Sequence, residues 1–177
     1  MTDMPRDNVI LVGFMGAGKS VCGRLLARRL QRCFVETDDM IVSRAGRAIP
    51  DIFREDGEEA FRRLEGEAVE ALRLKSGDVI ATGGGLPCRA GRMEALRELG
   101  TVVWLRGTLA ALLERAGRAG GRPMLGGRTP EQIEALYHER EAYYAQAHVV
   151  VDIDGLTIDQ VVARVLGLLR EPHAARI

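Results

Sequence analysis

A lysine and a serine at the end of a glycine-rich turn are the first residues able to do chemistry here. Gly13-Phe14-Met15-Gly16-Ala17-Gly18-Lys19-Ser20 satisfies G-x-x-x-x-G-K-[ST] in full. An apolar run, Val9–Val12, precedes it and a helical pattern from Val21 to Leu30 follows. In that strand–loop–helix setting the glycines turn backbone N–H groups inward around a polyphosphate, and the helix N-terminus adds its dipole. Lys19 is placed to reach β- and γ-phosphates and the Ser20 hydroxyl to ligate Mg²⁺. The motif predicts a nucleoside triphosphate held by Gly16, Ala17, Gly18, Lys19, Ser20 and Val21.

Phosphoryl transfer also needs a positioned acceptor, a divalent ion and positive charge on the migrating group. Glu36-Thr37-Asp38-Asp39 ends the second apolar run. Read as extended chain, Glu36 and Asp38 point to one side, so one could hold Mg²⁺ through water and the other orient a hydroxyl proton. Thr37 or Asp38 could instead simply cap the next helix. Gly83-Gly84-Gly85 ends the third run; it is either an amide-lined ligand contact or a tight turn. Arg140 falls on the apolar stripe Ile133, Leu136, Tyr137, Tyr144, Ala147 of a helix expected over 130–147, where a guanidinium demands an anionic partner. Arg62, between Glu58 and Glu65, reads either as part of a solvated salt ladder or, with Arg140, as a fork for a carboxylate. His138, His148 and His173 show no metal or triad spacing.

The elements that must position these residues follow a β-α-β rhythm. Five β-branched runs, Val9–Val12, Cys33–Thr37, Val79–Thr82, Val102–Leu105 and Val149–Ile153, read as parallel strands buried on both faces, with helices between. The fold expected is a doubly wound α/β sheet in one domain spanning 1–177. Residues 38–75 exceed one crossover helix, break at Ala45-Gly46-Arg47 and again at Gly57, and are placed to hold a second substrate. Residues 117–128 carry five glycines, three arginines and Pro123. This stretch is either a plain surface loop or a lid that closes on phosphate. Thr129-Pro130-Glu131-Gln132 is a helix start with a capping box.

Composition excludes several classes. The 25 basic and 25 acidic side chains cancel, giving no field to recruit nucleic acid or an anionic membrane. Three dispersed cysteines make neither a zinc site nor a disulfide framework. The polar start lacks a signal-peptide core, and no run is long enough to span a bilayer. A monomer in the cytoplasm is the expectation.

The order of motifs from Asn8 to Leu169 resembles shikimate kinase, a family of small P-loop kinases of aromatic amino acid biosynthesis. The matching stretches are Gly13–Ser20, Thr37-Asp38, Ile52-Phe53, Asp56-Gly57-Glu58, Phe61-Arg62 with Glu65, Thr82–Gly85, Arg122-Pro123-Met124-Leu125 and Arg140–Tyr144. The resemblance implies the P-loop NTPase fold, a five-stranded parallel sheet flanked by helices, with a helical substrate-binding insertion and a mobile lid. It implies Mg-ATP as donor and the 3-hydroxyl of shikimate as acceptor. Asp38 then matches the candidate base; Arg62, Arg140 and the Gly83–Gly85 backbone match the carboxylate clamp. Phe53, Phe61 and Pro123 match apolar walls, and Glu65 matches the residue orienting Arg62. Arg122 matches the lid arginine on the ATP phosphates, catalytic with Asp38 and Lys19, and Arg115 matches the residue stacking on adenine. Glu36 stands where the family usually has Asp near the metal, one methylene longer, a length that water-mediated contact to Mg²⁺ tolerates. Val21 replaces a hydroxyl residue.

Overall fold

The computed structural model describes residues 7–118 and 127–170. The chain runs β1 (Asn8–Val12), α1 (Lys19–Leu30), β2 (Phe34–Glu36), α2 (Thr37–Ala45), α3 (Ile49–Leu72), β3 (Val79–Ala81), α4 (Arg92–Leu99) and β4 (Gly100–Arg106). It continues with α5 (Leu109–Arg118), α6 (Pro130–Tyr144), β5 (Val149–Asp152) and α7 (Ile158–Arg170). All strand pairs are parallel, in the order β2-β3-β1-β4-β5. β1 therefore lies at the centre, with Val9 beside Val79 on one side and Thr101 on the other.

The apolar runs of β1 and β3 and most of β4 are buried on both faces, as continuous hydrophobic strands under helices must be. Each fully buried Val, Leu or Ile contributes about 1.5–3 kcal/mol relative to exposure, so the three central strands anchor the fold. Helices cover the sheet with stripes at helical spacing: Cys22 and Leu26 on α1, Val161, Val165 and Leu169 on α7. Buried Asn8 fastens strand β1 to both flanks. Its side-chain amide donates to the Lys75 and Leu99 carbonyls at 3.1 and 3.0 Å, and its oxygen accepts from the Asp78 N–H at 3.0 Å.

The edges depart from the two-faced burial expected of all five strands. β2 is half-buried throughout, and on β5 only Val149 and Val151 face the core while Val150 is 38% exposed. An edge strand has one neighbour and less helix cover, so full burial of both faces is lost there, with alternation on β5. α6 ends at Tyr144 rather than at Ala147, and starts at the expected capping box. There Thr129 Oγ1 accepts from the Gln132 N–H at 3.3 Å and Gln132 Oε1 accepts from the Thr129 N–H at 2.9 Å.

The long segment after β2 folds as two helices. Gly46 ends α2 in the left-handed region (φ 65°). Gly57 interrupts α3 at φ 81°, ψ 179°, a backbone state essentially reserved for glycine. Ile41, Ile52, Phe61 and Ala68 form a small second core that holds α2 and α3 together. No helix among the described residues is long and apolar enough to cross a membrane.

Candidate active site

The glycine-rich loop leaves β1 and delivers its lysine onto the first turn of α1. Gly16 is fixed by contact: its φ is 80°, and a Cβ there would sit 2.0 Å from the Leu112 carbonyl oxygen of α5. No side chain caps α1 and no acidic residue occupies its first turn. Its N-terminal dipole is thus left uncompensated by the protein, which suits an anion. Lys19 is folded back onto the loop, donating to the Gly13 and Phe14 carbonyls at 2.7 and 3.2 Å. Burial pushes its pKa down to about 8, against the upward pull of Asp38.

Glu36 and Asp38 reach one cavity by a different route from the extended segment expected. β2 stops at Glu36 and α2 begins at Thr37, so the first turn of a helix, not strand alternation, brings Asp38 round. Neither carboxylate caps α2 with its side chain. Thr37 instead accepts the Gly83 N–H at 2.9 Å, tying the carboxyl ends of β2 and β3 together. The Ser20 hydroxyl donates to the Glu36 carboxylate, which also pairs with Arg24 at 3.0 Å. Glu36 thus reaches the loop serine directly. Burial holds the Asp38 carboxyl above its ordinary range, opposed by Lys19 and assisted by Glu36.

Across the cavity the two arginines converge on the glycine run. A Cβ on Gly85 would lie 3.0 Å from Arg62 Nη1 and 3.3 Å from Arg140 Nη2, and one on Gly83 would lie 2.5 Å from Asp38 Oδ1. Bare backbone at this spot is what lets all three charges crowd round one space. Arg62 has the salt-ladder partners expected: Glu58 and Glu65, each at 2.9 Å. Glu65 is 2% exposed, so this arm of the ladder is internal. Arg140 is 8% exposed, lies over the Phe14 ring at 5.5 Å, and makes no ion pair among the described residues. A buried guanidinium without a carboxylate is costly unless an anion arrives.

Two cavities meet here. The smaller, about 230 Å³, is bounded by Asp38, Phe61, Arg62, Arg140 and the three glycines. The larger, about 840 Å³, is bounded by Gly16, Gly18, Val21, Arg115 and Arg118, with Leu156–Ile158 opposite. Met15, Lys19, Ser20 and Asp38 line both. Sequence reasoning missed Met15 and Ile49 as walls of the smaller cavity; an apolar residue at a variable motif position carries no signal of its own. Phe53, expected as a wall, does not line this cavity. It packs on Phe61, ring centroids 4.6 Å apart, against the second core. Arg115 borders the larger cavity and donates to the Ile153 carbonyl at 3.0 Å. Arg122 and Pro123 lie outside the described residues.

Relatives give the family. A family profile described as shikimate kinase matches residues 15–170. The chain belongs to the shikimate kinase family. A shikimate kinase of Moorella thermoacetica is 46% identical over 148 residues, covering 84% of this chain and 86% of that protein. One from Symbiobacterium thermophilum is 45% identical, covering 93% and 97%. The solved shikimate kinase of Acinetobacter baumannii, in complex with shikimate, superposes with a TM-score of 0.85 at 34% identity, covering 92% of each chain.

Shikimate kinases use ATP, and with its phosphates at Lys19 nucleotide binding would depend on pH. In the free protein Lys19 loses its proton near pH 8. Phosphate charges favour the ammonium form and raise that value in the complex. Binding at about pH 8.5 is therefore expected to take up a fraction of a proton, and ATP affinity to fall as pH rises above 8. Calorimetry in two buffers of different ionisation enthalpy measures this; no uptake would mean that Lys19 is not at the phosphates.

Proposed function

We propose that this chain transfers the γ-phosphoryl group of ATP to the 3-hydroxyl of shikimate, giving shikimate 3-phosphate and ADP for aromatic amino acid biosynthesis. The observation that carries the acceptor is the buried Arg140, facing Gly85 with Arg62 and lacking an anionic partner among the described residues. The clamp is matched to a planar carboxylate, and Asp38 lies in the same cavity. Gly83–Gly85 and Phe61 are the remaining acceptor contacts proposed, carried on an acceptor-binding insertion, residues 38–75. Phe53 is proposed to support Phe61 from behind.

The donor lies in the larger cavity along Gly16–Val21, with Arg115 beside the base. Mg²⁺ is the metal proposed. Ser20 and Glu36 offer two hard oxygen donors side by side, and among the described residues no set of three or more His, Cys, Asp or Glu forms a cage of its own. Two oxygens plus phosphate and water suit an ion that keeps most of its hydration shell. Held there, Mg²⁺ would supply positive charge to the nucleotide phosphates.

The residues then act by position and charge. Arg62 and Arg140 hold the acceptor carboxylate, setting the far end of the ring against Asp38. Asp38, ionised, accepts the proton of the attacking hydroxyl. Lys19, on the wall shared by both cavities, stabilises charge on the migrating group. Arg122 is proposed as a further charge on the phosphates, from a lid over residues 117–128 that closes out water. Action as a monomer, in the cytoplasm, completes the proposal.

The test is ADP release, coupled to a dehydrogenase, with Mg-ATP and shikimate beside quinate, gluconate and no acceptor. Shikimate-dependent turnover well above the other three is expected. Equal release with all four would sink the assignment of the acceptor.

A further inference from the structure

Tyr144 is among the largest fully buried side chains in the molecule, 1% exposed, and the chemistry above does not use it. It ends α6 one turn after Arg140, its ring tilted against Trp104 at a centroid distance of 5.9 Å. Its hydroxyl donates to the Gly84 carbonyl at 2.6 Å. Cys88 Sγ approaches the same oxygen at 3.6 Å, from the loop that follows the glycines. The Gly84 carbonyl is thus held from two directions.

A trans peptide is planar, so the Gly84 carbonyl and the Gly85 N–H point to opposite sides. Fixing one fixes the other. The Gly85 N–H donates to nothing among the described residues, and Gly85 is where the guanidinium groups of Arg62 and Arg140 meet. In a run of three glycines an untethered peptide has many accessible orientations, and the entropy of choosing one opposes binding. A buried tyrosine hydroxyl removes that freedom before any ligand arrives.

We propose that Tyr144 is a positioning residue for the acceptor carboxylate: its hydroxyl pins the Gly84–Gly85 peptide so that the Gly85 N–H stands as a third donor beside Arg62 and Arg140. This rests on the reading of the smaller cavity as the shikimate site. The tyrosine touches no substrate; it acts through the Gly84 backbone and, its hydroxyl lying beside Arg140 as well, through that guanidinium, and its effect is confined to acceptors that carry the carboxylate.

The test is Tyr144→Phe, which keeps the ring against Trp104 and removes only the oxygen. Kinetics are compared for shikimate and for the analogue with its carboxylate reduced to a hydroxymethyl group. The expected result is a rise of about tenfold in KM for shikimate, the scale of one hydrogen bond to a charged group. The KM for ATP and the kcat stay within about twofold of wild type, and the KM for the analogue does not move. Equal losses for both acceptors, or an unchanged shikimate KM, overturn the proposal. A second readout needs no variant. In ¹⁵N-glycine-labelled wild-type protein, saturating shikimate is expected to shift the Gly85 amide proton downfield, and an unmoved Gly85 resonance overturns the proposal. Wild-type protein that turns over no shikimate brings down the acceptor assignment itself. Turnover in wild type with Tyr144→Phe indistinguishable from it brings down this inference alone.

Discussion

Asp38→Asn is expected to lower kcat by about 10²–10⁴-fold, the range for losing one general base, while ATP binding stays within a few-fold of wild type. The argument starts from burial. Desolvation holds the Asp38 carboxyl above its ordinary range, while Lys19 keeps it from rising further. A raised value makes the carboxylate a better proton acceptor and is common where proton transfer is the task. Asparagine preserves shape and some hydrogen bonding but cannot take the proton. The pH profile follows with its sign: activity needs ionised Asp38, so it falls on the acid side at a pH above that of an exposed aspartate. Rapid-quench measurement of the chemical step, with isothermal titration of nucleotide, checks both halves. A variant with wild-type single-turnover rates would remove Asp38 from the chemistry.

Arg140→Ala is expected to weaken acceptor binding by about 2–5 kcal/mol, the cost of truncating one partner of a buried charge pair. That corresponds to an acceptor KM at least about 30-fold higher. The size of the effect comes from what surrounds the guanidinium. It is 8% exposed, makes no ion pair among the described residues, and lies on the Phe14 ring. Arg62 differs, because Glu58 and Glu65 already share its charge and its side chain is 20% exposed. The smaller loss is therefore expected at Arg62. Steady-state kinetics with shikimate as the varied substrate decides it, and an unchanged KM in Arg140→Ala would assign that arginine a structural role.

Much of this site was legible because short-range rules govern its parts. The phosphate loop, the breaks at Gly46 and Gly57 and the capping box at Thr129 are each set by a handful of adjacent residues. Apolar run length located the central strands for the same reason. Arg140 stood out as a charge on an apolar stripe, and its burial agrees with that reading. What escaped depends on contacts across long separations. Nothing in Glu36-Thr37-Asp38 says that a helix starts at its second residue, or that Thr37 holds Gly83, 46 positions away. The packing of Phe53 on Phe61 spans the Gly57 break, which sequence marks but does not orient. The Tyr144–Gly84 bond is a similar case, since a tyrosine in a stripe of apolar residues looks like core until its oxygen is located.

The two cavities share a wall of Met15, Lys19, Ser20 and Asp38, and that common boundary has a thermodynamic consequence. On the proposed reading, two ligands that alter the same lysine and the same carboxylate would not bind as independent events. Phosphates that draw Lys19 off the Gly13 and Phe14 carbonyls change the field in which Asp38 meets the acceptor hydroxyl. By linkage, the acceptor must change nucleotide affinity by the same factor. On that reading, the partition between the pockets would also be the element through which each substrate registers the presence of the other.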